Sequence, residues 1–342
     1  MGGLYKNHNF FCVVVLISSE GGLILFDGAS AANVFSDGFQ PFADNNHVRV
    51  VENGQQVDLI LDQQAASGFG SKYKYLFGHI TMQIKLVAGN SAGTVTAYYL
   101  SSDNPDHDEL DFEFLGNVSG QPYILQTNVY AHGVGNREQR INLWFDPTAD
   151  FHTYGFLWNT NQIIFQVDDK PIRVYKNNAD LGVPYPNSKP MALYSSLWDG
   201  SQWATQGGLI KLDWASAPFV ASYRNFDGLD ACTVYNNDIS SCVATTSHWW
   251  EASAFQTLDN TQLDELNWVR QNYQLYDYCT DTKRYPTPPP ECSTNSSPPH
   301  FLHQHNCEFC SRHQSIMQAF KYAAHIQSSN CSPLFPTNSH KT

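Results

Sequence analysis

The sequence predicts an all-β fold, a two-sheet sandwich or jelly roll with a short helix-plus-strand extension toward its C-terminal end. Three observations carry this expectation. Apolar and polar residues alternate from about 56 to 170, which is the period of strands and not of helices. The turn-forming clusters "AGNSAG", "GNVSG" and "HGVGN" break that alternation at short intervals. Helical spacing is confined to one later stretch.

Taken in order, "VDLIL", "ITMQIKL", "TVTAYYL", "LDFEFL", "YILQTNVY", "RINLWF" and "IIFQVDD" each read as a strand. The loop "GVPYPNSKP" follows, then further strand-like sequence around 191–197 and 217–223. The character changes after Cys232. Leu263, Leu266, Val269 and Tyr273 recur at three- and four-residue spacing, so "TQLDELNWVRQNY" reads as one short helix. The strand-like "QLYDYC" and the Pro-rich stop "YPTPPPEC" complete an appendage to the sandwich. The expected organisation is a sandwich over 33–230, its extension over 231–292, and separate segments at either end.

Those end segments have their own composition. Lys6 and His8 precede the apolar run "FFCVVVLI", and "ASA" at 29–31 resembles a cleavage site, so 1–32 reads as a secretory signal. Residues 293–342 hold six of the thirteen His and three Cys without strand periodicity, and read as a disordered tail. Cys307-x-x-Cys310 within it admits a zinc reading, set against plain disorder.

Composition narrows the partners. With 32 acids against 19 bases the net charge is −13, and no basic run appears, which excludes a nucleic-acid partner. No stretch reaches the length of a membrane span. Aromatic residues make up 14% of the chain, with 18 Tyr and 8 Trp, enough to supply flat stacking surfaces. Cys232 with Cys242, and Cys279 with Cys292, form two closely spaced pairs suited to disulfides in an oxidising compartment. A monomer is the default expectation.

The chemistry concentrates in "HDELDFEFLG". Residues two apart share a strand face, so Glu109, Asp111 and Glu113 project together while Leu110, Phe112 and Phe114 enter the core. Crowded carboxylates repel, and that crowding can split their pKa values into one ionised and one protonated group. Such a split is what two-carboxylate glycoside chemistry requires. Spacing alone leaves two alternatives open: a calcium site and a merely solvated face.

The same stretch resembles the signature of glycoside hydrolase family 16, and specifically of the plant xyloglucan endotransglucosylase/hydrolases. The resemblance continues in order through "YKYLFGHITMQIKLVAGNSAGTVTAYYLSSD", "QTNVYAHGVGNREQRINLWFDPTADFHTY", "WATQGG", "APFVASY" and "WVRQNYQLYDYCTDTKRYP", covering about 33 to 292. It implies a bent, concanavalin-like jelly roll with an open cleft on its concave face. It further implies a retaining reaction with Glu109 as nucleophile, Glu113 as general acid/base and Asp111 as helper between them. Xyloglucan would be both donor and acceptor, and the reaction needs neither nucleotide sugar nor metal.

By the same resemblance Gln126, Thr127 and Asn128 in "QTNVY" line the cleft, and Asn136, Arg137 and Glu138 form a second contact segment. Gln202, Trp203 and Gly207 in "QWATQGG" form a third, although the family more often has Asp where Gln202 stands. Arg284 extends the acceptor side. Asn117, in Asn117-Val118-Ser119, matches the family's N-linked glycan site, whereas the sequons at Asn295 and Asn330 carry no more than chance weight. The pairs Cys232–Cys242 and Cys279–Cys292 match family disulfides. Family members that favour hydrolysis carry an extra loop after "YSSLW". Here that link is only "DGS", which implies transfer into the wall polysaccharide. The rivals are a xyloglucan endohydrolase, a mixed-linkage glucan endohydrolase, which the C-terminal extension argues against, and a non-catalytic glucan-binding sandwich. The last would have no reason to keep both Glu109 and Glu113.

Overall fold

The computed structural model describes residues 34–42, 45–103, 105–244 and 248–295. The expected signal, the tail beyond 295 and the Cys307/Cys310 pair lie outside the described residues, whereas 293–295 close a short helix, Cys292–Asn295. Fifteen strands make up the described fold: β1 (Phe39–Pro41), β2 (Val48–Val51), β3 (Gln56–Leu61), β4 (Ser67–Lys85), β5 (Thr94–Ser101), β6 (Glu109–Leu115), β7 (Ile124–Tyr130), β8 (Gln139–Asn142), β9 (His152–Trp158), β10 (Gln162–Val167), β11 (Lys170–Lys176), β12 (Met191–Asp199), β13 (Phe219–Asp227), β14 (Ala231–Val234) and β15 (Gln274–Asp277). Every pairing is antiparallel.

β4 explains how one hydrogen-bonded network becomes two layers. Its first half, Ser67–Tyr75, pairs with β12, and its second half, Gly78–Ile84, pairs with β9. Between them Phe77 and Gly78 both take left-handed backbone angles, φ 67° and 127°. A side chain at Gly78 would meet the Ala231 backbone at 2.3 Å, so the bend needs glycine there. One layer runs β4-β12-β5-β6-β7-β8-β15, and the other runs β11-β10-β9-β4-β13-β3-β2. The stretch 67–79 was not among the expected strands, because glycines and lysines at the bend hide its alternation.

The layers meet through aromatic rings. Phe112 of β6 sits 4.8 Å from Phe156 of β9 and 5.3 Å from Phe165 of β10, and Phe114 sits 4.6 Å from Tyr154. Leu110, Phe112 and Phe114 are fully buried, as the alternation predicted. Each burial contributes about 1.5–3 kcal/mol, and each ring pair about 0.5–1.5 kcal/mol more.

The extension adds edge strands and no second core. β14 pairs with β4, and β15 pairs with β8. The expected helix spans Asn260–Tyr273 and opens on a capping box between Asp259 and Gln262. It packs on β11 through Leu266 and Val269. Leu263, expected on the same apolar face, is 43% exposed because the helix lies against a narrow sheet edge. Both predicted disulfides form, Cys232–Cys242 and Cys279–Cys292.

The cross-layer role of Phe112 gives the first prediction. Phe112→Ala is expected to cost about 3–5 kcal/mol, whereas Phe112→Leu costs clearly less. Urea unfolding monitored by Trp fluorescence checks both. A cost for Phe112→Ala below about 1 kcal/mol would contradict this packing.

Candidate active site

β6 lies in the middle of the layer that runs from β4 through β12 to β15, between β5 and β7. Its beginning is anchored by Asp108, which is fully buried. The Asp108 carboxylate accepts from the His132 backbone N–H at 2.8 Å, and its own N–H donates to Ser102 Oγ at 2.9 Å. From that anchor Glu109, Asp111 and Glu113 face the cleft. Register then sets their neighbours: Ser101 and Tyr130 flank Glu109, Tyr99 and Asn128 flank Asp111, and Ala97 and Gln126 flank Glu113.

The cleft has a volume of about 440 Å³. Its floor is the acid row, and Gln126, Asn128, Glu138 and Trp203 line it as expected. Tyr99, Tyr130, Arg140, Ser196 and Trp198 also line it and were not singled out. Their signal was present in the alternation: each lies an even number of residues from a cleft-facing position on its own strand, or on a paired strand. Trp198 and Trp203 lie 6.2 Å apart at one wall, and Tyr99 stacks on Tyr194 at 5.3 Å. Flat rings at such a wall suit the faces of sugar rings. Trp203 is placed by its loop, where Thr205 Oγ1 accepts from Gly93 N–H and donates to Gly116 C=O at the end of β6.

The three acids differ in their surroundings. Burial holds Asp111 protonated well above the usual carboxylate range, and the charges of Glu109 and Glu113 and its hydrogen bond with Glu109 push the same way. Burial also raises Glu113. Against this, Gln126 Nε2 donates to Glu113 at 2.5 Å, and the Arg140 charge likewise favours the ionised form. Arg140 Nε donates to Gln126 Oε1 at 2.6 Å, so the amide can present only its NH₂ to Glu113. Glu109 sits with His107 Nε2 at 3.7 Å, and the His107 ring stacks on Tyr130. The result is a facing pair, Glu109 and Glu113, with a neutral acid between them that donates to Glu109. This arrangement can attack at one position and deliver a proton at another. A solvated acid face does not fit it, and no three His, Cys, Asp or Glu side chains among the described residues converge to hold a cation.

Beside Glu138 the expected contacts Asn136 and Arg284 form a second cluster, next to the cleft lining and not part of it. Arg284 Nη1 donates to Glu138 at 2.8 Å, and Nη2 donates to Asn136 Oδ1 at 2.6 Å. Asn128 Oδ1 accepts from the N–H groups of Val129 and Arg137, which leaves its NH₂ to the cleft.

Four expected contacts stand elsewhere. Thr127 alternates to the opposite face of β7, where Arg173 donates to its Oγ1 at 3.0 Å. The Arg137 side chain turns inward to a buried ion pair with Glu291 at 2.8 Å. Gln202 and Gly207 are exposed on the loop beside Trp203 and do not line the cleft. Asn117 is half-buried in the turn after β6, with Oδ1 accepting from Val118 N–H.

A stability prediction follows from Asp111. Folded Asp111 keeps its proton above the range, near 4, where the unfolded carboxyl titrates. The native state therefore binds more protons across that window, and stability falls as pH rises through it. Asp111→Asn is expected to be more stable than the parent at pH 7, by roughly 1–3 kcal/mol, with the gain vanishing toward pH 4. Urea midpoints measured from pH 4 to 7 check this, and a gain independent of pH would sink it.

Comparison with known proteins agrees with the geometry. The model for Glycosyl hydrolases family 16 matches residues 35–216, and that for the Xyloglucan endo-transglycosylase (XET) C-terminus matches 244–292. A probable xyloglucan endotransglucosylase/hydrolase protein of Nicotiana tabacum is 53% identical over 83% of this chain and 96% of its own length. Xyloglucan endotransglucosylase protein 34 of Populus tremula x Populus tremuloides is 51% identical over 85% of this chain and 98% of its own. Probable xyloglucan endotransglucosylase/hydrolase protein 5 of Arabidopsis thaliana is 57% identical over 72% of this chain. With a family model over more than half its length, a second over the extension, and relatives more than half identical over most of the chain, this chain belongs to the xyloglucan endotransglucosylase/hydrolase family within glycosyl hydrolases family 16.

Proposed function

We propose that the protein cuts the β-1,4-glucan backbone of xyloglucan and rejoins the new end to the non-reducing end of another xyloglucan chain, in the plant cell wall. The observation that carries this is the acid row itself: Glu109 and Glu113 on one strand face, with a buried protonated Asp111 between them.

Glu113 enters the reaction protonated, favoured by its burial. It gives its proton to the leaving glycosidic oxygen while the Glu109 carboxylate attacks the anomeric carbon. The Asp111 proton, donated to Glu109, orients the nucleophile and steadies the carboxylate when it departs in the second step. Glu113, now ionised, takes the proton of an acceptor hydroxyl as that hydroxyl attacks the glycosyl-enzyme. Glycosidic bonds are conserved, so no other energy source is needed.

Trp198, Trp203 and Tyr99 suit the donor side, and Arg140, Glu138, Asn136 and Arg284 the acceptor side. Transfer in preference to hydrolysis is supported by the tight link after β12. Gly200 N–H donates to Gly93 C=O and Ser201 N–H to Asp199 Oδ1, leaving no inserted loop over the wall. The two disulfides suit an extracellular location, and Asn117 is the glycan acceptor.

The test supplies xyloglucan and a labelled xyloglucan oligosaccharide to the full chain, secreted from a glycosylating host. Label is expected in polymer without matching new reducing ends. Glu109→Ala is expected to lower transfer by about 10³-fold or more. New reducing ends without incorporated label would make the protein a hydrolase, and neither product would defeat the enzymatic reading.

A further inference from the structure

Arg173 of β11 is not a cleft residue, yet its charged side chain is only 2% exposed. None of the ion pairs among the described residues includes it. A buried guanidinium without a paired carboxylate is costly unless its donors are filled and its charge serves a nearby site. Three hydrogen bonds tie it to the stretch of chain from β7 to β8. Nη1 donates to Thr127 C=O at 2.9 Å and to Thr127 Oγ1 at 3.0 Å, and Nη2 donates to Arg137 C=O at 2.6 Å.

That segment is where β8 leaves β7. The ladder between them runs from Ile124↔Asn142 to Thr127↔Gln139 and stops. Beyond it β7 must still present Asn128 and Tyr130 to the acid row. Arg173 and Arg137 take over from the missing strand: Arg173 holds the Thr127 carbonyl, while Arg137 donates to Val129 C=O from Nη1 and to Asn128 Oδ1 from its backbone. Thr127 lies directly between Gln126 and Asn128, the partners of Glu113 and Asp111. The guanidinium therefore sits on the far side of one strand from the three acids.

We propose that Arg173 is a charged positioning residue for the acid row, pinning β7 from behind the sheet and placing a positive charge behind Asp111 that offsets the single negative charge the row carries. The proposal rests on the reading that the acid row is the reacting centre. The groups facing Arg173 are Tyr175 on its own strand, Arg137 beside β7, Asp277 and Tyr278 from the extension, and Asp111 through the sheet. Asp111 feels Arg173 as an attractive charge that opposes its burial. Asp277 is the one carboxylate in that set besides Asp111, and it partly offsets the field.

The experiment measures kcat/KM for transfer against pH in the full-length parent, Arg173→Lys and Arg173→Gln. Both variants lose the forked geometry, but only Gln loses the charge. The acidic limb, which reports ionisation of the acid row, is expected to move up by about half to one pH unit in Arg173→Gln and to stay in place in Arg173→Lys. An unmoved limb in Arg173→Gln, or an equal shift in both variants, overturns the proposal and leaves a purely structural tether. If Arg173→Gln does not fold, Asp277→Asn is expected to move the same limb downward, and no movement there also overturns it. A parent without turnover would count against the proposed reaction instead, so the two failures are separable.

Discussion

The structure turns on the two faces of β6. On one face Leu110, Phe112 and Phe114 lock into the aromatic layer between the sheets. On the other, three carboxyl groups stand two residues apart with little access to water. Neither face would hold alone. The acid row opposes folding through repulsion and desolvation, and only a strand gripped by rings from the opposite sheet can keep it in one place. That grip places the reacting groups on a rigid element, as precise chemistry requires.

The electrostatics follow from that rigidity. Gln126 is oriented by Arg140, so Glu113 always meets a donor, whatever its own protonation state. Asp111, the most deeply buried of the three, is pushed furthest toward its neutral form and can therefore act as a donor to Glu109. A single strand thus carries groups with different proton affinities because their burial differs, although their chemistry is nearly the same.

The extension does more than cover an edge. Arg284 reaches Asn136 and Glu138, and the buried Glu291 holds Arg137 behind the same segment. One wall of the cleft is thereby assembled from pieces of chain that are far apart in sequence. The opposite wall comes from β5, β12 and the loop carrying Trp203, tied to the end of β6 through Thr205. An open cleft between two independently built walls is suited to holding one glucan chain while another arrives.

Period-two alternation placed many of the strands, though not the first half of β4, β9 or β11, and it separated Phe112 from Asp111 and marked the acid row as unusual, because a strand's side chains must alternate. The helix and its cap were equally local. What alternation could not supply was which strands lie side by side, so Tyr99, Arg140 and Trp198 went unnamed although each lay in a recognisable strand. Motif likeness also overreached where orientation decides: Thr127 and Arg137 sit inside matching segments, but pleat and burial turn their side chains toward Arg173 and Glu291. The sequence by itself determined most of the strands, the two-faced acid row and the cysteine pairs, because those depend on neighbours along the chain. Only the tertiary structure decided the cleft walls, the proton affinities and the buried arginines, because these depend on groups brought together across the sheets and removed from water.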